Sequence, residues 1–111
     1  MKGAAAEELA AAFLERNGLA ITARNYRCRF GEIDLVARDG RTLVFVEVRQ
    51  RRNEDFGGAA ASITHDKRAR LLRAARHYLA GIRSEPPCRF DAVLIRGEPP
   101  QIEWIQNAFG E

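Results

Sequence analysis

The stretch Gly31–Arg52 reads GEIDLVARDGRTLVFVEVRQRR, two alternating apolar runs on either side of Asp39-Gly40. That dipeptide tolerates positive φ and closes tight hairpins, so the spacing predicts strands over 30–38 and 42–51. With Asp39 and Gly40 as the loop, Arg38 faces Arg41, Asp34 faces Phe45 and Glu32 faces Glu47. Side chains alternate along a strand, which puts Glu32, Asp34 and Val36 on one face with Phe45, Glu47 and Arg49. Ile33, Leu35, Val44, Val46 and Val48 form the other face. Apolar residues on both faces call for helices on both sides of a sheet.

The carboxylates are the anomaly in this hairpin. On this register Asp34 and Glu47 are diagonal neighbours about 7–8 Å apart, near enough for their side chains to converge on one ion. Two like charges in a low-dielectric site repel unless a positive charge stands between them. A hard divalent cation, Mg²⁺ or Mn²⁺, meets that need, with the Val48 carbonyl as a further oxygen ligand. Such an ion would neutralise charge building on a phosphodiester, and Arg49, on the same face, would stand over that phosphate. The alternative is structural: Arg49 alone neutralises the acids as an ion-pair network. Glu32 is either an added ligand or the partner that holds Arg49.

Outward from the hairpin, residues 4–17 carry a helical stripe of Ala6, Leu9, Ala10, Phe13 and Leu14, stopped by Gly18. Glu7 falls beside Leu14 at the stripe's margin, where it either looks toward the sheet or serves the helix dipole as a first-turn acid. Residues 19–27 predict a first strand, and Arg24, Tyr26 and Arg29 border the acidic strand, Tyr26 equally fitting a core edge. The segment 53–62, NEDFGGAAAS, breaks all periodicity and predicts a mobile loop. A second helix is expected from Ile63 or Thr64 to Ile82, with Thr64 as N-cap and Leu71, Leu72, Ala75, Tyr78, Leu79 and Ile82 as its buried stripe. Arg70, Arg73, Arg76 and His77 face away, while Lys67 and Arg68 add charge near its start. His65 is a candidate for phosphate contact or proton transfer, or else an exposed first-turn residue. Residues 89–96 predict a fourth strand and 101–105 a short fifth, with Phe109 packed in the tail.

The whole chain, 1–111, fits one domain. Hydrophobic residues make up 46%, so one compact core is expected. Of 18 basic residues only Lys2 and Lys67 are lysines. Arginine's fork suits bidentate phosphate contacts, although high-GC coding gives the same excess. Arg24, Arg29, Arg49, Arg51, His65, Lys67 and Arg68 form the candidate nucleic-acid contacts. Cys28 and Cys88 lack metal-ligand spacing and read as buried free thiols in a reducing compartment. No apolar run approaches the length of a membrane span, and a cytoplasmic protein is expected.

These residues resemble the bacterial YraN family of uncharacterised proteins. The likeness rests on Glu7 in the first helix, RN at 24–25, GEIDLV at 31–36, VFVEVR at 44–49, FGGAAASIT at 56–64, RFD at 89–91 and EWI at 103–105. It implies a restriction-endonuclease-like α/β fold related to Holliday junction resolvases: a mixed sheet of four or five strands flanked by helices, in the order α-β-β-β-α-β-β. By the same resemblance the nuclease signature falls on Glu7, Asp34, Glu47 and position 49, where Arg49 stands in place of lysine. Arginine stays charged and is a poor general base. Two function classes follow: a metal-dependent endonuclease on branched or structured DNA, or a nucleic-acid-binding domain with a degenerate site. A third, an interaction protein with vestigial acids, needs neither metal nor DNA. Symmetric cutting of a junction would imply a homodimer.

Overall fold

The structure, a computed structural model, describes residues 4–51, 64–82 and 85–109. Its elements are α1 (Ala4–Arg16), β1 (Ala20–Cys28), β2 (Gly31–Asp39), β3 (Thr42–Arg51), α2 (His65–Ala80), β4 (Cys88–Arg96) and β5 (Gln101–Phe109). The five strands form one sheet in sequence order, and only β3 and β4 run parallel. Parallel neighbours need a crossover, and α2 lies between these two in sequence. The architecture is the expected α/β one, a mixed five-stranded sheet between two helices. The segment 53–62 lies outside the described residues.

Each helix covers one face. On the α1 side, Ala6, Ala10, Ala11 and Leu14 pack on Leu35, Ala37, Val44, Val46, Val48, Val93 and Ile95. On the α2 side, Leu71, Ala74 and Ala75 pack on Ile33, Val36, Leu43, Phe45 and Phe90. Small alanines at both helix contacts let the helix backbones lie close to the sheet. Leu9, expected in the α1 stripe, is instead exposed at 38%, because Ala11 rather than Leu9 completes the buried arc. Glu7 falls between Leu14 and Ala11 at roughly 100° per residue. It is therefore half-buried on the sheet-facing side of α1.

The hairpin register differs from the expected one. Asp39 pairs with Thr42, so the two-residue loop is Gly40-Arg41, with Gly40 at φ 62°. A glycine at the first central position carries the positive φ by itself, and no second left-handed residue is needed. Asp39 stays extended because Arg89 of β4 reaches its carboxylate at 3.0 Å. The consequence is a two-residue shift: Leu35 faces Val46 and Val36 faces Phe45.

β5 is nine residues long rather than a short strand over 101–105. Asp91 holds its far half. That carboxylate is fully buried and accepts hydrogen bonds from Arg89 Nε, from Trp104 Nε1 at 2.9 Å and from the Asn107 N–H at 3.0 Å. Asn107 takes φ 53°, and the β4–β5 register shifts between Phe90 and Ala92. Beyond that bulge Phe109 stacks on Phe90. The cysteines are free, as expected, but only Cys28 is half-buried. Cys88 is exposed because it opens β4 directly after Pro86-Pro87, at the sheet's end. Among the described residues no helix is long and apolar enough to cross a membrane.

Candidate functional site

Asp34 and Glu47 are 4% and 2% exposed. Burying two carboxylates this deeply costs several kcal/mol each unless charge and hydrogen bonds compensate. The register supplies the meeting point. The β2–β3 ladder ends at Leu35 and Val46, and Asp34 and Glu47 are the next residue on each strand beyond it. There the Val48 N–H donates to Asp34 Oδ2 at 2.9 Å. A residue in an extended strand turns its N–H and C=O to the same edge. The Val48 carbonyl is thus directed into the gap that holds the Asp34 carboxylate.

A local flip sends Asp34 into that gap. Arg24 pairs with Leu35 and Tyr26 with Ile33, so Asn25 and Asp34 share the position between. Leu35 packs on the α1 side, whereas Ile33 and Tyr26 belong to the α2 side. Strict alternation, which would keep Ile33 with Leu35, fails at this step. Asn25 has φ 52°, the left-handed region that asparagine tolerates better than most residues. The twist there turns Asp34 toward β3 in the plane of the sheet.

Glu47 follows Phe45 onto the α2 side, where two cations meet it. Lys67 Nζ, from the first turns of α2, lies 2.7 Å from Glu47 Oε2, and an Arg49 guanidinium nitrogen lies 3.6 Å from the same oxygen. Thr64 caps α2 by accepting from the Lys67 N–H at 3.2 Å, which fixes where that lysine starts. Sequence reasoning placed Lys67 among phosphate contacts and missed its place on Glu47. A signal existed: it is the single lysine in an otherwise arginine-rich helix.

The remaining candidates disperse around this centre. Glu7 lies on the α1 side, and the neighbouring Glu8 pairs with Arg24 at 2.9 Å. That pair ties α1 to β1, on the side of the sheet away from Lys67. Glu32 is exposed and pairs with Arg27 at 3.3 Å, and the shifted register takes it off its expected place opposite Glu47. Arg29 is exposed with its guanidinium 4.9 Å above the Phe30 ring, and Arg68 lies 5.8 Å over Phe109 on the β5 flank of α2. His65 is exposed at the start of α2. Arg51 closes β3 opposite Arg96. Tyr26 bonds His77 Nδ1 through its hydroxyl. Burial, then the neighbouring Cys28 and Tyr78, hold that phenol above its ordinary value of 10.0.

Among the described residues no group of three or more His, Cys, Asp and Glu gathers as a metal cluster. Asp34 lies against the Val48 backbone and Glu47 against Lys67 and Arg49, oxygen ligands and cations of the kinds that bind a hard ion or a phosphate edge. With this geometry, comparison with known proteins adds an identity. Residues 6–95 match the profile of the family described as Uncharacterised protein family UPF0102. The chain belongs to that family, also called YraN. A UPF0102 protein of Nitrosomonas europaea is 61% identical over 111 residues, covering 99% of this chain and 94% of the relative. One from Nitrosospira multiformis is 61% identical, with 98% and 92% covered. A UPF0102 protein of Psychromonas ingrahamii is 50% identical over 99% and 90% of the two chains. The stretch that defines UPF0102 membership takes in Glu7, Asp34, Glu47, Arg49 and Lys67 and ends before β5.

Proposed function

We propose that this UPF0102 chain is a metal-dependent endonuclease acting on branched or structured DNA. The observation that carries the reading is the pair of buried acids, Asp34 and Glu47, each the next residue past the last paired step of the β2–β3 ladder, with Lys67 and Arg49 on Glu47. The donors fit a hard divalent cation: two carboxylates and one strand carbonyl, with no sulfur or imidazole among them. Asp34, Glu47 and Val48 would hold Mg²⁺ or Mn²⁺, which supplies Lewis-acid neutralisation of phosphoryl charge.

The protein's own groups do the rest. Arg49, a quarter exposed, offers a fork to a phosphate oxygen. Lys67 carries three donors on a mobile stem, so it can hold Glu47 with one and meet a phosphodiester oxygen with another. The nuclease signature asks for lysine two residues after the strand glutamate. Here Arg49 occupies that position and Lys67 brings an ammonium to the same glutamate from α2. Glu7, half-buried on the sheet-facing side of α1, is the fourth residue of the signature and would act from the α1 side.

The test is cleavage of four-way junctions, flaps and blunt duplex in Mg²⁺ or Mn²⁺ by wild type, Asp34→Asn and Glu47→Gln. Metal-dependent cutting of a branched substrate, lost in both variants, is expected, and full activity in either variant removes that residue from the mechanism. The two cuts a junction requires imply a dimer on DNA, which sedimentation of the protein–junction complex measures. A second reading, binding without cleavage, draws on the same ion pairs, since Lys67 and Arg49 neutralise Glu47 from within the protein. Salt-dependent binding with no cleavage in either metal would establish it in place of the first.

A further inference from the structure

At the other end of α2 from Lys67 lies a cavity of about 550 Å³ lined by Tyr26, His77, Tyr78, Ala80, Gly81 and Ile82. Three of its six lining residues carry rings. Tyr78 meets Phe45 of the core edge-on at 5.9 Å and meets Tyr26 edge-on at 5.0 Å, so Tyr26 is braced from beneath. The Tyr26 hydroxyl bonds His77 Nδ1, and His77 is an exposed residue whose second ring nitrogen is a further polar group. Phe30 lies 6.0 Å from His77 on the other side, and the Arg29 guanidinium sits over Phe30 at 4.9 Å. Tyr26 packs against the α2-side core, while Phe30 and His77 are not among the residues of that core, so part of this ring strip is presented outward.

Charge connects this strip to the acids. Arg70, Arg73 and His77 recur at helical spacing along one flank of α2, and all three are exposed. A methyl group placed on Gly31 would stand 3.5 Å from Arg70 Cβ, so this flank overhangs the β1–β2 turn, the side where Phe30 lies. Lys67 and His77 are ten residues apart in one helix, about 15 Å at 1.5 Å per residue. That span accommodates a few nucleotides of one strand, with cations along the backbone and rings at its end.

We propose that the Tyr26–Phe30–His77 strip and its cavity bind an unpaired base of a single DNA strand whose backbone follows Arg70 and Arg73 toward Asp34 and Glu47. A base in a duplex is stacked on both faces and cannot enter, so the site selects DNA with a single-stranded arm over continuous duplex. Stacking is tolerant of sequence because every base offers a π-face, while the imidazole edge supplies one polar contact. The inference rests on the nuclease reading for its purpose but not for its measurement.

The experiment uses the full chain carrying Asp34→Asn, without metal, so that binding is read apart from cleavage. Fluorescence anisotropy compares a labelled twelve-nucleotide oligo(dT) with a blunt duplex of equal length. His77→Ala and Phe30→Ala are each expected to weaken single-strand binding about ten-fold while moving duplex binding by less than about two-fold. Photocrosslinking of a 5-bromodeoxyuridine-substituted strand should place the base on Tyr26, Phe30 or His77. Unchanged single-strand affinity, an equal loss for both ligands, or crosslinks confined to other residues overturns the proposal. Cleavage by the wild type alongside any of those results would leave the nuclease reading standing, and selective binding without cleavage would do the reverse.

Discussion

Replacing Lys67 by methionine removes the ammonium from Glu47 and keeps most of the stem. Breaking a buried ion pair from one side costs about 3–5 kcal/mol, chiefly because the remaining charge is stranded. Two features reduce that figure. Lys67 is 32% exposed, so water screens part of the interaction, and Arg49 stays 3.6 Å from the same oxygen. A loss of about 2 kcal/mol is expected, lowering Tm by roughly 8 °C for a domain of this size. If the gap also holds a divalent cation, the cation and the ammonium compete for one carboxylate. Mn²⁺ at a hundred times its Kd stabilises a folded protein by about 2.7 kcal/mol. The Tm gain on adding Mn²⁺ should therefore be larger in Lys67→Met than in wild type, and absent in Glu47→Gln. Scanning calorimetry of the four proteins of the Lys67→Met and Glu47→Gln cycle, with and without Mn²⁺, measures both effects. In the absence of metal the two substitutions should couple by about 2 kcal/mol. Strict additivity would show that the ion pair contributes nothing, and an equal Mn²⁺ response in wild type and Lys67→Met would show that the cation binds elsewhere.

Asp91→Ala removes a fully buried acceptor from the Trp104 indole and the Asn107 N–H and leaves Arg89 with Asp39 alone. It should cost about 3–5 kcal/mol, read by urea denaturation, with a shift in the emission of the single tryptophan before global unfolding. The Tyr26 phenol, raised by burial, keeps its proton in the folded chain at pH values where the unfolded chain has lost it. Its stabilising share is whole below pH 10.0 and disappears as pH climbs through the folded value. Stability measured against pH should fall less steeply in the alkaline range in Tyr26→Phe than in wild type, and a phenolate absorbance step above the ordinary value should vanish with that substitution. Asn25→Gly should be nearly neutral and Asn25→Val should cost about 1–2 kcal/mol, because only the first accepts φ 52°. If the flip at Asn25 aims Asp34, the valine variant should also lose nucleolytic rate beyond its loss of folded protein at the assay temperature.

What the sequence made legible follows the range of the interactions involved. Element order and the two-sided core could be read because apolar period is a local property, and the anomaly of acids in an apolar hairpin pointed at Asp34 and Glu47 without any coordinates. The register could not be read from Asp39-Gly40, because Arg89, fifty residues away, holds Asp39 extended and moves the turn by one position. The extent of β5 was hidden for the same reason: QIEWIQNAF has no clean alternation past Ile105, and its last residues are kept in the sheet by Asp91 of the neighbouring strand. Ile33 changed faces through the backbone angle of Asn25, on a different strand.

Lys67 was legible as a cation but not as the partner of Glu47, since the signature fixes a spacing of two residues after the glutamate and directs attention to Arg49. Chemistry constrains where charges meet, not how far apart they stand in the chain. A carboxylate with two cations on it is electrostatically similar whether the second cation comes from the same strand or from the start of the crossover helix. The two sources differ in freedom. Arg49 is held by the β3–β4 ladder, where it pairs with Leu94, whereas Lys67 stands on α2, which packs on the sheet by side chains alone. A small shift of α2 along β3 would withdraw the ammonium from Glu47 without disturbing a single strand pairing. The gap's charge is thus set by how α2 docks. Substitutions at Leu71 or Ala74, which seat that helix, should accordingly change stability and, if Asp34 and Glu47 hold a divalent cation, its affinity as well.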